Sequence, residues 1–167
     1  MIKGNKFRKD IGPPLLEAAR QDEKIVLLVC DMGFGVVEDF ATQFPDRCFN
    51  MGMAEQGAVS IAAGMAMTGM KPIVYSIVNF LAYRSIEQIR NDVVLQHQNV
   101  KFIATGVNDY FDTLGHSHTC GEQDKEIMKM IGMPVYDPYE KDEYQLKDFL
   151  DMTQRWITSK EPGYLRL

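Results

Sequence analysis

Apolar runs of strand length alternate with helix-length segments along most of this chain, and no other feature restricts the fold so much. KIVLLVC (24–30) is a continuous run ending at Asp31, the pattern of a strand buried on both faces. A helical stretch over 35–43 is stopped by Pro45, and RCFNM (47–51) reads as a short second strand. Residues 54–68 have helical length and stop at Gly69. KPIVYSI (71–77) is a third strand, 79–96 a long helix and VKFIATG (100–106) a fourth strand. A polar loop (107–121) leads to a short amphipathic helix (122–131) and a fifth strand, MPVYD (133–137). The last helix is expected over 142–159, with apolar residues at Leu146, Phe149, Leu150, Trp156 and Ile157, and GYLRL (163–167) is a sixth strand. Such alternation predicts an α/β fold: a doubly wound, mainly parallel six-stranded sheet with helices on both faces. Ligands then belong beyond the carboxyl ends of the strands, near 31–34, 51–55, 76–83 and 106–120.

A chain of 167 residues buries about 68–70% of its unfolded surface and needs no staples to hold a core. Eighteen Lys and Arg against 23 Asp and Glu give a net charge of −5. With no basic block, a nucleic-acid partner is not expected. Cys30, Cys48 and Cys120 are irregularly spaced and form no CxxC pair, so neither a disulfide framework nor a zinc site is indicated. MIKGNKFRKD lacks the apolar core of a signal peptide. The longest apolar stretch (54–69) is interrupted by Glu55, Gln56 and glycines and is too short for a bilayer. The expectation is a reduced, cytoplasmic protein with no membrane partner.

MGMAEQGAVSIAAGMAMTG (51–69) is the most informative segment. Gly57, Ile61, Gly64 and Thr68 form one stripe of its helix, and Ala54, Ala58, Ala62 and Met65 another. Small residues on two faces let backbones approach closely, which predicts neighbours on both sides, a subunit interface among them. Glu55 is the only acidic residue in this helix and lies in its first turn. Its plain role is to balance the positive helix end, worth about 0.3–1 kcal/mol. A sharper role is a carboxylate held in a dry place to hydrogen-bond a ligand nitrogen and share a proton with it.

FPDRCFNMGMAEQGAVSIAAGMAMTGMKP (44–72) resembles the pyrimidine-binding domain of thiamine-diphosphate enzymes of the transketolase and 1-deoxyxylulose-5-phosphate synthase group. The likeness continues through YSIVNFLAYRSIEQIR (75–90), GHSHTCGEQD (115–124), PVYDP (134–138) and PGYLRL (162–167), nearly the whole chain in the family's order. It implies one pyrimidine-type domain over 1–167, on the thiamine-diphosphate-binding fold. It also implies that Glu55 hydrogen-bonds N1′ of the cofactor's aminopyrimidine. The cofactor then does the carbanion chemistry while the protein supplies orientation and a proton relay.

Phe80 and Tyr83, three apart on one helix face, are plain core candidates by spacing. The resemblance makes them the aromatic wall against the pyrimidine, where Ile77 replaces a further aromatic of some relatives. HSHTC puts His116, His118 and Cys120 at alternate positions, which in an extended segment would face one way and suit zinc, although a fourth ligand is not evident. The resemblance instead makes His118 the loop histidine near the reacting carbons, a catalytic and substrate-binding residue, with His116 beside it. Arg8 matches an arginine that holds a sugar phosphate, and Asp31 is a cofactor-side contact. Arg90 reads as structural. Two positions depart from the family: Gly106 stands where transketolases carry a sugar-contacting histidine, and Gly35 where they carry a substrate-contacting serine.

The chain has no GDG metal motif, no P-loop and no GxGxxG. The resemblance therefore implies that Mg2+ or Ca2+ and the diphosphate are held by a separate diphosphate-binding subunit, in a heterotetramer of two plus two, and that the isolated chain is inactive on its sugar substrates. The diphosphate-binding and C-terminal domains are expected to be absent. Ketol transfer between sugar phosphates is the first expectation. A split 2-oxo-acid decarboxylase or acyloin synthase is the second, kept open by Gly106. A non-catalytic module is the third, opposed by the joint presence of Glu55, Phe80, Tyr83 and His118. A nucleotide-binding protein of similar fold would need the phosphate loop this chain lacks.

Overall fold

A computed structural model describes residues 6–140 and 145–167. Helix α1 (Gly12–Gln21) precedes strand β1 (Ile25–Val29), followed by α2 (Glu38–Gln43), β2 (Cys48–Asn50), α3 (Glu55–Met67) and β3 (Lys71–Ile77). A three-part helix, α4 (80–94), leads to β4 (Lys101–Thr105), α5 (Gln123–Met130), β5 (Val135–Tyr136), α6 (Leu146–Thr158) and β6 (Gly163–Arg166). The six strands are all parallel, in the order β2-β1-β3-β4-β6-β5. The α/β expectation therefore holds, and the sheet is wholly rather than mainly parallel. No helix among the described residues is long and apolar enough to cross a membrane.

Each central strand feeds two cores, which is why it reads as an unbroken apolar run. Val26 and Leu28 of the first strand, Cys30 just beyond it, Val74, Phe102, Ala104 and Tyr164 pack under α3, α4 and α5. The intervening Ile25, Leu27, Val29, Ile73, Tyr75, Ile103 and Leu165 pack under α1, α2 and α6. The chain leaves β1 toward α2 on one face and leaves β3 toward α4 on the other. The strand order reverses between these adjacent strands, and the carboxyl ends at such a point are where folds of this kind bind ligands.

Several elements differ from expectation for physical reasons. Helix α1 has no counterpart in the apolar periodicity. Helix α2 begins at Glu38, not near residue 35, because Gly33 and Gly35 adopt left-handed φ values of +99° and +74°. In α6 the buried positions are Phe149, Met152, Thr153 and Trp156, while Leu146 and Leu150 are exposed. The expected start of that helix at Asp142 lies outside the described residues. In α3, Ala58 and Ala62 are buried, but Gly57, Ile61 and Gly64 are exposed, so the described residues supply neighbours on one side only.

A buried ionic cluster closes the far side of the sheet. The Arg166 guanidinium, fully buried on β6, donates to both Asp124 oxygens (2.8 and 3.0 Å), to Asp137 (2.7 Å) and to Asn108 Oδ1 (2.9 Å). Burial works against its charge, but the two carboxylates outweigh burial and raise its pKa. Asn108 and Gly121, the two stems of the 107–121 loop, are joined here: Asn108 N donates to Gly121 O (3.3 Å) and Gly121 N to Asp109 Oδ1 (2.6 Å).

Candidate active site

Glu55 opens α3 at the carboxyl end of the sheet and is fully buried. Its carboxylate does not cap its own helix. Ser76 Oγ, near the end of β3 and also fully buried, donates to Oε1 at 2.9 Å, and Arg84 Nη1 donates to Oε2 at 2.5 Å. Neither Ser76 nor Arg84 stands out in the sequence, because both reach Glu55 across elements.

Arg84 gets there through the distortion of α4. The segment expected as one regular helix is a widened π turn (Phe80–Arg84), a short α piece (Ile86–Gln88) and a second π segment (Ile89–Val94). At the break Ser85 Oγ donates to the carbonyls of Phe80 (3.2 Å) and Leu81 (3.0 Å). π-Bulges of this kind concentrate at functional sites. Here the first turn places the Arg84 guanidinium over the Phe80 ring, 4.2 Å from its centre.

Phe80, Tyr83 and Arg84 line an open depression of about 530 Å3, together with Asn79, His116, Ser117 and Thr119. The Phe80 and Tyr83 expectation of a shared face is met. Tyr83 is 44% exposed, and its hydroxyl donates to Gln123 Oε1. Asn79 Nδ2 holds the Thr119 carbonyl (2.9 Å), while its Oδ1 is buried without a hydrogen-bond partner among the described residues. The loop 107–121 folds over this side as two short turns, so HSHTC is not extended. His116–His118 forms a 3₁₀ turn, Cys120 is buried and His116 is exposed. No group of three or more His, Cys, Asp or Glu side chains placed to hold a metal ion occurs among the described residues. His118 packs edge-on against Phe80 (centres 5.2 Å apart) and Phe111 (6.5 Å), with Nδ1 2.9 Å from Ser117 Oγ.

The remaining sequence candidates lie elsewhere. Asp31 is exposed, with a left-handed φ of 49°, and exchanges hydrogen bonds with Asn50 in a second depression that includes Met32, Phe34 and Glu38. Arg8 Nη2 donates to the Phe34 carbonyl at 2.8 Å, bracing the loop that carries Gly35, and its Nε is buried and unpartnered. Gly106 is glycine for a steric reason. Its φ is +83°, and a Cβ there would lie 2.3 Å from the Phe111 ring. Arg90 donates to Asn91 on the surface.

Cys30 adjoins the carboxylate: burial first, then the negative charge of Glu55, push its thiol up to about 12. Burial and then Asp124 push Cys120 up to about 12 as well, and burial raises Tyr164. A group raised from an ordinary thiol value of 9.0 contributes stability that is complete below pH 9 and lost between pH 9 and 12. Lys101, which burial lowers from 10.5 to about 8, acts oppositely, adding stability as pH rises from about 8 to 10.5. Cys48, Tyr75, Tyr83 and Lys125 are raised as well, so the groups that lose stability outnumber Lys101; the melting temperature is expected to fall from pH 9 to 11, and Cys120→Ala to flatten part of that fall. A flat profile for the unmodified protein would contradict the placement of these thiols.

A family model described as "Transketolase, pyrimidine binding domain" matches residues 5–167. The chain belongs to this family. It is 38% identical over 161 residues to one subunit of the apulose-4-phosphate transketolase of Phocaeicola vulgatus, covering 96% of this chain and 50% of that protein. It is 36% identical over 163 residues to "Putative transketolase C-terminal section" of Methanocaldococcus jannaschii, again 96% and 50%. Among solved structures, "Split gene transketolase, inactive beta4 tetramer" superposes with a TM-score of 0.80 at 32% identity, covering 96% of this chain and 50% of that one. The transketolase pyrimidine-binding domain described here thus spans about half the length of these relatives.

Proposed function

We propose that this chain is the pyrimidine-binding subunit of a split, thiamine-diphosphate-dependent, transketolase-like enzyme that moves a two-carbon ketol unit between sugar phosphates. One observation carries the reading: a fully buried carboxylate, Glu55, joined through Arg84 to an aromatic ring that lines an open depression. The residues fit an aminopyrimidine. A flat heterocycle needs an aromatic face, given by Phe80 with Tyr83 beside it. Its ring nitrogen needs a dry carboxyl group that can share a proton with it, given by Glu55, and its amino group needs an acceptor, for which Asn79 Oδ1 stands unpartnered among the described residues. Thiamine diphosphate, when bound, supplies the carbanion chemistry. Glu55 holds or shares a proton at N1′, with Ser76 fixing one carboxylate oxygen so that the other is aimed. Phe80 supports the ring and excludes water, and His118, packed on Phe80, hydrogen-bonds substrate oxygens beside it.

The diphosphate and its Mg2+ or Ca2+ are assigned to a partner subunit. Support comes from two relatives, one described as a split gene transketolase and the other named as a transketolase subunit. The exposed Gly57–Ile61–Gly64 stripe of α3 offers that assembly a surface that another backbone can approach closely, since nothing lies within 4 Å of a Cβ at either glycine. Gly106, covered by Phe111, favours a second reading in which the same assembly decarboxylates a 2-oxo acid, because no side chain there can contact a sugar.

The test is to mix the chain with a diphosphate-binding partner, thiamine diphosphate and Mg2+, and to follow ketol transfer and 2-oxo-acid decarboxylation side by side. Ketol transfer by the mixture, with neither component active alone, is the expected result. Decarboxylation without transfer would favour the second reading. Tight binding of thiamine diphosphate with its metal by this chain alone would contradict the split site.

A further inference from the structure

Arg84 already occupies two of the contacts that the proposed site offers a pyrimidine. Its Nη1 donates to Glu55 Oε2, and its guanidinium lies over Phe80, 4.2 Å from the ring centre. A guanidinium and an aminopyrimidine share the relevant chemistry. Both are planar, carry nitrogens on their edge, can share a hydrogen bond with a carboxyl group in their own plane and rest a face on an aromatic ring. The freedom of the two partners differs sharply. The Glu55 side chain has no exposure, whereas the Arg84 side chain is 39% exposed and has a way out into solvent. The other carboxylate oxygen is anchored independently by Ser76, itself fully buried.

We propose that Arg84 is a positioning residue that pairs and aims Glu55 while the site is empty, and yields Oε2 and the Phe80 face to the aminopyrimidine of the cofactor. The proposal rests on the function proposed above. Its physical basis is that a buried carboxylate without a partner is costly, so an empty site with Glu55 unpaired would be unstable. Exchange of the guanidinium for a heterocycle together with the proton that its ring nitrogen shares with Glu55 leaves the carboxyl group partnered in both states. It also means that the incoming ring replaces contacts and does not simply add them, so the measured affinity is reduced by whatever holds Arg84 in place.

The test titrates thiamine diphosphate, at fixed Mg2+, into the assembled two-subunit complex carrying Arg84→Ala, Arg84→Gln or Arg84→Lys. Arg84→Ala and Arg84→Gln are expected to tighten cofactor binding about tenfold while lowering the melting temperature of the cofactor-free complex, with Arg84→Lys between them and the parent. A residue that only supports the fold would weaken binding or leave it unchanged, and either result overturns the proposal. On the unmodified complex, a shift of the Arg84 guanidinium 15N resonance on adding the cofactor is the matching expectation, and an unmoved resonance overturns it without recourse to any variant. Binding by the parent complex that Glu55→Gln weakens, but that loss of Arg84 does not tighten, defeats this proposal alone. Failure of the parent complex to bind thiamine diphosphate at all defeats the functional reading and this with it.

Discussion

Glutamine at position 55 is expected to slow ketol transfer by about 10²–10⁴-fold in the assembled enzyme, the range that one positioned proton-transfer group supplies. Glu55→Gln preserves side-chain volume in a fully buried position, so the packing of α3 on the sheet survives. The amide changes the hydrogen-bond inventory. Ser76 and Arg84 both donate to Glu55, and a carboxylate accepts from both while an amide offers one acceptor oxygen and one donor group. The variant therefore loses the relay and one of the two contacts that aim it. Steady-state rates and the exchange of the cofactor's C2 proton with deuterated water should fall together, with the far-ultraviolet circular dichroism unchanged. A loss smaller than tenfold in both would contradict the role given to this carboxylate.

The largest effect on stability is expected at Arg166. Leucine there removes the cation that partners Asp124 and Asp137 and strips a hydrogen bond from Asn108, all in the interior. Breaking a buried pair by deleting one partner costs about 3–5 kcal/mol: Asp124 loses its guanidinium and is left with the Tyr164 hydroxyl (3.2 Å), while Asp137 retains Lys125 (3.2 Å). For a domain of this length each kcal/mol is worth about 2–4 °C, so Arg166→Leu should lower the melting temperature by about 6–20 °C. Urea unfolding followed by Trp156 fluorescence is the direct check, since this sole tryptophan is fully buried and donates to the Gly163 carbonyl. Because the cluster joins both stems of the loop that carries His118, substrate KM should rise as well, measured below the melting transition. A stability loss under about 1 kcal/mol would show that the cluster is not an ion-paired core.

The strands were legible because the sheet is covered on both faces. β3 occupies residues 71–77, the bounds its apolar run marks, and β1 and β4 fall within a residue or two of theirs. Helix α1 left a weaker signal, the two prolines of GPPLLEAARQ at its start, which favour a helix N-terminus. The π turns of α4 have no sequence signature at 3.6 periodicity, so the segment reads as one regular helix. Glu55 stood out because it is a lone acid among small residues. Ser76 and Arg84 did not, because their meaning lies in contacts made 21 and 29 residues away in the chain. Arg166 was hidden for the same reason, looking like the polar member of a closing strand until Asp124 and Asp137 are folded against it.

The most direct measurement is a crystal structure of this chain bound to its diphosphate-binding partner with thiamine diphosphate and Mg2+. N1′ of the pyrimidine is expected within hydrogen-bond distance of Glu55 Oε2, the ring against Phe80, and the metal on partner residues. A pyrimidine seated away from Glu55, or a metal held by side chains of this chain, would contradict the role proposed for this protein.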